Sequence, residues 1–240
     1  MQTAKTSRFV ELDLLRTLAI FLMILYHLAY DLEEFYGWPL GIFEHPGWIA
    51  FRVSVAALFL LLVGISFSIS WSRTPLYKKY LKRGLGVIAC GMLVSAVTYG
   101  FEPETYVRFG ILHLIGVSIL LLPFFARFKE WNALLGLGFG SGLGFGTAKT
   151  SLLIPLGIPP QNFMSVDYFP LIPWFGIVLI GYAIGLQVYA KRQPALLLTT
   201  HYSLLTRMAW PGRHALLIYL LHQPLLLGAL GAFGALGVLQ

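Results

Sequence analysis

The chain has 240 residues, 58% of them hydrophobic and 11% charged, with a formal net charge of +7. Soluble domains average about 25% charged residues, so this composition excludes an ordinary soluble domain and points to a polytopic membrane protein. The single cysteine, Cys90, allows no intrachain disulfide and reads as a small buried apolar side chain.

Apolar stretches near 20 residues recur along the chain, the length that crosses about 30 Å of hydrocarbon. They predict one all-α integral-membrane domain over residues 1–240, a bundle of about seven spans around a polar cavity. The spans fall at 13–31, 49–71, 84–100, 110–126, 131–147, 170–189 and 213–236. The first carries Asp13, Arg16 and His27 and is followed by no small-residue cleavage site, so it reads as a span and not as a leader. In the fifth, glycine alternates from 136 to 146. No Lys-Ser/Thr follows to make it a phosphate loop, and small residues that let helices approach closely are the better reading. Residues 194–210 are apolar but broken by Thr199, Thr200, His201 and Arg207, which predicts an interfacial or re-entrant helix.

Thirteen of the seventeen basic residues fall on one side of such a bundle. Lys5 and Arg8 precede span one; Arg73, Lys78, Lys79, Lys82 and Arg83 follow span two; Arg127 and Lys129 follow span four; Lys191, Arg192, Arg207 and Arg213 precede span seven. The opposite side receives Glu33, Glu34, Glu44, Glu102, Glu104 and Asp167. The positive-inside rule then predicts a cell inner-membrane protein with a cytoplasmic N-terminus and an external C-terminus. It accounts for the basic charge without nucleic acid as a partner; the partner this reading requires is the lipid bilayer.

Ionisable groups within a span default to a functional reading. At 100° per residue, Asp13, Arg16, His27 and Asp31 lie within about 60° on one face of span one. Asp13 and Arg16, at i,i+3, are expected to neutralise one another. Asp31, at i,i+4 from His27, is expected to fix the tautomer of that histidine. Arg108 and His113 open span four. Arg213 opens span seven, which carries His222-Gln223-Pro224, and the proline removes a backbone hydrogen bond and predicts a kink in a helix lining a cavity.

These residues resemble those of integral-membrane acyltransferases. Arg16-x10-His27 is similar to the Arg-x10-His pattern of the acyltransferase-3 family. The broader resemblance is to the heparan-α-glucosaminide N-acetyltransferase catalytic-domain family. "FEHPGW" at 43–48 resembles the Phe-x-His-x-x-Trp loop of the lysosomal enzyme, and "FLLLVGISFSIS", "FGILHLIGVSILLLPF", "DYFPLIPWFGIVLIGYAIG" and "GRHALLIYLLHQPLL" resemble later blocks of compact bacterial members. The resemblance implies acetyl transfer from cytoplasmic acetyl-CoA to an amine or hydroxyl, often of a sugar, on the far side, and a homodimer. It puts His45 in the catalytic position, His27 at a polar active-site position and Arg16 at the family arginine. The chain departs from the lysosomal enzyme in lacking an acidic residue early in span two, where Arg52 lies nearby, and in carrying His113 where that enzyme has glutamine.

Acyl transfer from a thioester needs a base, a site for the oxyanion and an aligned acceptor. His45, with His27 and Asp31, is expected to supply the catalysis; Asp13, Arg16, His113, Arg213, His222 and Gln223 to hold acetyl-CoA; and Trp48, Arg52, Arg108, Asp167 and Trp174 to meet the acceptor. No metal is expected. Two other classes stay open: a metal or haem protein using His27, His45, His113 and His222, and a small-molecule transporter or flippase, since an ionisable stripe suits both.

Overall fold

The computed structural model describes residues 9–140, 146–189 and 202–237. The described residues are helical, without strands: α1 (Val10–Tyr36), α2 (Pro46–Arg73), α3 (Tyr77–Phe101), α4 (Ile111–Phe125), α5 (Asn132–Gly140), α6 (Leu171–Val188), α7 (Tyr202–Met208), α8 (Trp210–Arg213) and α9 (Ala215–Ala235). The chain divides into two compact units, one of residues 1–59 with 193–240 and the other of residues 60–192.

Several helices outrun the spans read from hydropathy. α1 continues through Glu33 and Glu34 and stops at Gly37, which takes the left-handed conformation (φ 66°) and returns its N–H to the Glu33 carbonyl at 3.1 Å. Glycine adopts that conformation without the Cβ clash other residues suffer. α3 begins at Tyr77, so Lys78, Lys79, Lys82 and Arg83 form its first turns and not a loop. Hydropathy marks where oil begins; lysine and arginine are good helix formers and carry the helix past that point.

In the first unit α1 and α9 run side by side in the same direction. Contacts rise together along both: Asp13 meets Gly212 just before α9, His27 meets His222, Asp31 meets Gln223, and the Tyr36 hydroxyl donates to the Leu230 carbonyl at 2.6 Å. Of the expected interfacial segment, residues 202–208 form α7, which docks on the start of α1; residues 194–201 lie outside the described residues.

In the second unit glycines bring helix backbones into contact. A Cβ on Gly84 would stand 2.9 Å from the Gly116 carbonyl, and Tyr77 meets Phe124, so α3 and α4 are antiparallel. A Cβ on Gly64 would stand 2.1 Å from the Val178 carbonyl, and one on Gly181 2.3 Å from the Leu61 carbonyl. Gly185 meets Ile65 and Ser68 in the same way, so α2 and α6 are parallel. In the glycine-rich fifth span, Gly136 closes on Gly176 of α6, while the neighbouring Gly138 and Gly140 face open space.

By length and composition, six helical stretches among the described residues can cross a membrane, one of them the continuous segment Ile111–Gly140. That stretch is not one rod. Lys129 leaves helical geometry (φ 48°, ψ −124°), and the rings of Phe125 and Phe139 lie 6.4 Å apart. Fourteen residues of unbroken helix would hold them about 21 Å apart. α4 and α5 therefore fold back as a hairpin, its turn closed by the Asn132 amide, which donates to the Phe125 and Lys129 carbonyls at 2.9 and 2.8 Å. Counting α4 and α5 separately recovers about seven membrane segments. The parallel α2/α6 pair requires an odd number of crossings between its members, which α3, α4 and α5 supply.

Overpacking a tight helix contact typically costs about 1–3 kcal/mol, whereas an open helical glycine gains by alanine. Gly64→Ala is therefore expected to lower the melting temperature in detergent by several degrees. Gly86→Ala, whose Cβ would meet nothing within 4 Å, should leave it unchanged or higher. Equal melting temperatures would refute the close α2/α6 contact.

Candidate active site

The polar stripe of α1 faces α8 and α9 in the first unit. At its start Asp13 is buried and bonded to Arg16, as expected, and its second oxygen lies 3.5 Å from Arg213 Nε. Thr17 Oγ1 lies 3.0 Å from the Asp13 carbonyl and 3.1 Å from that of Met208, and accepts the Gly212 N–H at 3.0 Å. This clasp locks the helix ends together. Both arginines stay about a quarter exposed, at 24% and 27%, so their guanidiniums remain accessible.

Nine residues on from Arg213, roughly 14 Å along a helix, lies a second polar cluster. The His27 and His222 rings meet edge-on, centroids 4.8 Å apart. His222 Nδ1 lies 2.5 Å from the Tyr219 carbonyl, while its buried Nε2 has no hydrogen-bond partner. Asp31, with 0% exposure, accepts the Gln223 amide at 2.7 Å. The expected Asp31–His27 bond is therefore corrected. The carboxylate reaches across to α9, where the Gln223 amide donates to it, and His27 packs instead on His222 and Tyr26. Asp31 Oδ2 and Gln223 Oε1 are also buried without partners.

The loop from α1 to α2 turns back on itself. Gly41 takes φ 67°, and Glu33 accepts the N–H of the buried Ile42 at 2.8 Å. Glu33, read from sequence only as a marker of sidedness, is the pin of this loop. His45 is exposed and caps α2: its Nδ1 accepts the Gly47 N–H at 3.0 Å. Three residues on, Trp48 donates from Nε1 to the Leu40 carbonyl at 3.2 Å and sets its ring 6.3 Å from that of Tyr26, whose ring lies 5.9 Å from His27. Arg52 interacts with the Tyr26 hydroxyl. Among the described residues His45 and His27 are thus joined through Trp48 and Tyr26 and not by a direct contact. Sequence reasoning missed Tyr26 because it lies outside the charged stripe.

The remaining candidates belong to the second unit. His113 sits in the first turn of α4, buried against Gly91, and its Nδ1 accepts the Gly110 N–H at 3.2 Å. Its buried Nε2 has no partner. Asp167 accepts the Ile111 N–H at 3.1 Å and so caps α4. Residues 105–109 pair with 165–169 through Val166 N–H to Thr105 and Phe169 N–H to Phe109. Arg108 lies over the rings of Tyr106 and Phe163, and Trp174 packs on Phe169.

A family model described as heparan-alpha-glucosaminide N-acetyltransferase, catalytic, matches residues 8–224. The chain belongs to this family. No curated protein and no solved structure matches it. The matched region takes in both units and ends just past His222 and Gln223. Membership in this family of membrane acetyltransferases agrees with the all-α, multi-pass architecture. Among the described residues no three His, Cys, Asp or Glu side chains are grouped to hold a metal ion, so the multi-histidine metal reading finds no ligand set there.

Losing a helix cap typically costs about 0.5–2 kcal/mol. Asp167→Ala should therefore lower thermal stability by about that much, and Asp167→Asn, which keeps an acceptor oxygen, by less. Equal stability of wild type and Asp167→Ala in a detergent melt would show that the carboxylate does not hold α4.

Proposed function

We propose that the protein transfers the acetyl group of acetyl-CoA to an amine or hydroxyl of a sugar-like acceptor on the opposite face of a bacterial-type inner membrane. The observation that carries this reading is the buried polar cluster between α1 and α9. Each unsatisfied buried polar atom costs about 1–3 kcal/mol, and His222 Nε2, Asp31 Oδ2 and Gln223 Oε1 are three of them. Helix packing alone is served by leucine, so a cluster left open to bonding inside a span suits a reacting ligand.

The chain's residues divide naturally along α1. Arg16 and Arg213, held by Asp13 and partly exposed, suit the phosphates of CoA, which guanidiniums match in a bidentate fork. Farther along, His27, Asp31, His222 and Gln223 would receive the thioester, and His45 and Trp48 would stand on the acceptor's side. In the second unit, the first turns of α3 carry Lys78, Lys79, Lys82 and Arg83, a basic surface of its own. Orientation is supported by two arguments. Basic residues favour the cytoplasm, and α1 and α9 run parallel, which gives an odd number of crossings and termini on opposite sides.

In proteoliposomes with radiolabelled acetyl-CoA and glucosamine as acceptor, wild type is expected to form acetylated product. His45→Ala should abolish transfer while CoA still raises the melting temperature. His27→Ala, which removes the ring packed edge-on against His222, should lose on the order of 10²-fold in turnover. Near-wild-type turnover in either variant removes that residue from the chemistry; no transfer and no thioester cleavage by wild type removes the acetyltransferase reading.

For orientation, a cysteine at Glu104 in a Cys90→Ser background should react with an impermeant maleimide added outside intact cells, and one at Lys129 should not. The reverse pattern would invert the topology.

A further inference from the structure

The histidines of the first unit differ in what their backbone partners demand of them. A neutral imidazole carries one proton, and the partner of one ring nitrogen decides which nitrogen holds it. His45 Nδ1 faces the Gly47 N–H, which can only donate. Nδ1 must therefore offer its lone pair, and Nε2 carries the proton. His222 Nδ1 faces the Tyr219 carbonyl, which can only accept, with the Ile218 carbonyl also in reach. Nδ1 must therefore carry the proton, and Nε2 is a bare lone pair, buried and without a partner. The helix itself helps to hold this ring. Pro224 has no N–H to offer, which disturbs the regular ladder two residues from His222, and Gln223 is tied to Asp31.

We propose that His222, not His45, is the proton acceptor of the reaction, and that His45 acts as a donor through Nε2–H. This rests on the acetyltransferase reading above and adds to it a base, where sequence had placed a group holding CoA. In the step assigned to it, His222 Nε2 takes the proton of the acceptor's amine or hydroxyl as that N or O bonds to the acetyl carbon. The carbon–sulfur bond breaks, and its electron pair leaves with the CoA sulfur. Return of the proton to that sulfur yields CoA thiol and acetylated acceptor and restores His222. The edge-on His27 ring, 4.8 Å away, stays neutral meanwhile, because two imidazolium charges at that spacing repel.

The test compares wild type with His222→Gln, which keeps an acceptor of similar reach but cannot take up a proton at neutral pH, and with His222→Ala. Each is assayed for kcat and KM against acetyl-CoA, with thermal stabilisation by CoA as a check on folding and binding. His222→Gln is expected to lose at least 10²-fold in kcat with KM within about threefold of wild type. In His222→Ala, added imidazole is expected to restore part of the rate, and the rise of kcat with pH expected of wild type should vanish. A His222→Gln enzyme within tenfold of wild type overturns the assignment while leaving the acetyltransferase reading in place. A wild type that neither transfers nor cleaves the thioester overturns both. Should the variants fail to fold, nitrogen NMR of wild type labelled at histidine decides the tautomer: an unprotonated Nε2 at His222 supports the proposal, and a protonated Nε2 overturns it.

Discussion

A polar group inside hydrocarbon has no water to bond, and the first unit is arranged around that constraint. The charged and polar face of α1 has to be covered, and α8 and α9 cover it along their length. Backbone groups provide much of the cover. Carbonyls of Asp13 and Met208 meet Thr17, the Gly212 amide closes on the same hydroxyl, and the Leu230 carbonyl takes the Tyr36 hydroxyl. Gly212 permits the closest point of this contact, since a Cβ there would lie 1.9 Å from the Asp13 carbonyl. Buried atoms without a hydrogen-bond partner remain at Asp13 Oδ2 and Arg213 Nε, which still face one another as an ion pair at 3.5 Å, and farther along at His222, Asp31 and Gln223.

The second unit meets the same constraint by a different route. Hydrophobic burial does little to bring helices together in lipid, so close packing and backbone proximity must. Gly64, Gly84, Gly116, Gly136, Gly176 and Gly181 each allow a neighbouring helix backbone to approach where a methyl group would collide. Those contacts also fix direction. α2 parallel to α6 and α3 antiparallel to α4 are compatible only if the stretch from α4 to α5 reverses, and the Phe125–Phe139 contact shows that it does. Apolar length alone merges the two; packing separates them.

Much of this was legible in the sequence because period and charge are local properties. The stripe of Asp13, Arg16, His27 and Asp31 follows from 100° per residue, and the Asp13–Arg16 pair follows from i,i+3 spacing. What could not be read were partners set by another element. Asp31 has His27 one turn away in sequence, but Gln223 supplies a donor from α9. Asp167 reads as a loop acid, and the amide it serves, that of Ile111, lies 56 residues away. Glu33 looked like a marker of sidedness and in fact holds the turn that carries His45. In each case the residue type was informative and the partner was not, because the partner depends on which helices become neighbours.

The same reasoning explains why histidines that look equivalent in a sequence need not share a role. Imidazole is the one side chain that can offer a donor or a lone pair from either nitrogen, so its chemistry is undetermined until one nitrogen is engaged. Here backbone groups do the engaging. A cap amide at the start of α2 draws the lone pair of His45 Nδ1 and sends the proton to Nε2; a carbonyl within α9 draws the proton of His222 to Nδ1 and leaves Nε2 bare. Helix geometry, and not residue identity, thereby supplies both a donor and an acceptor. An acyl transfer requires both, since the oxygen that gains charge needs the first and the nucleophile that loses a proton needs the second.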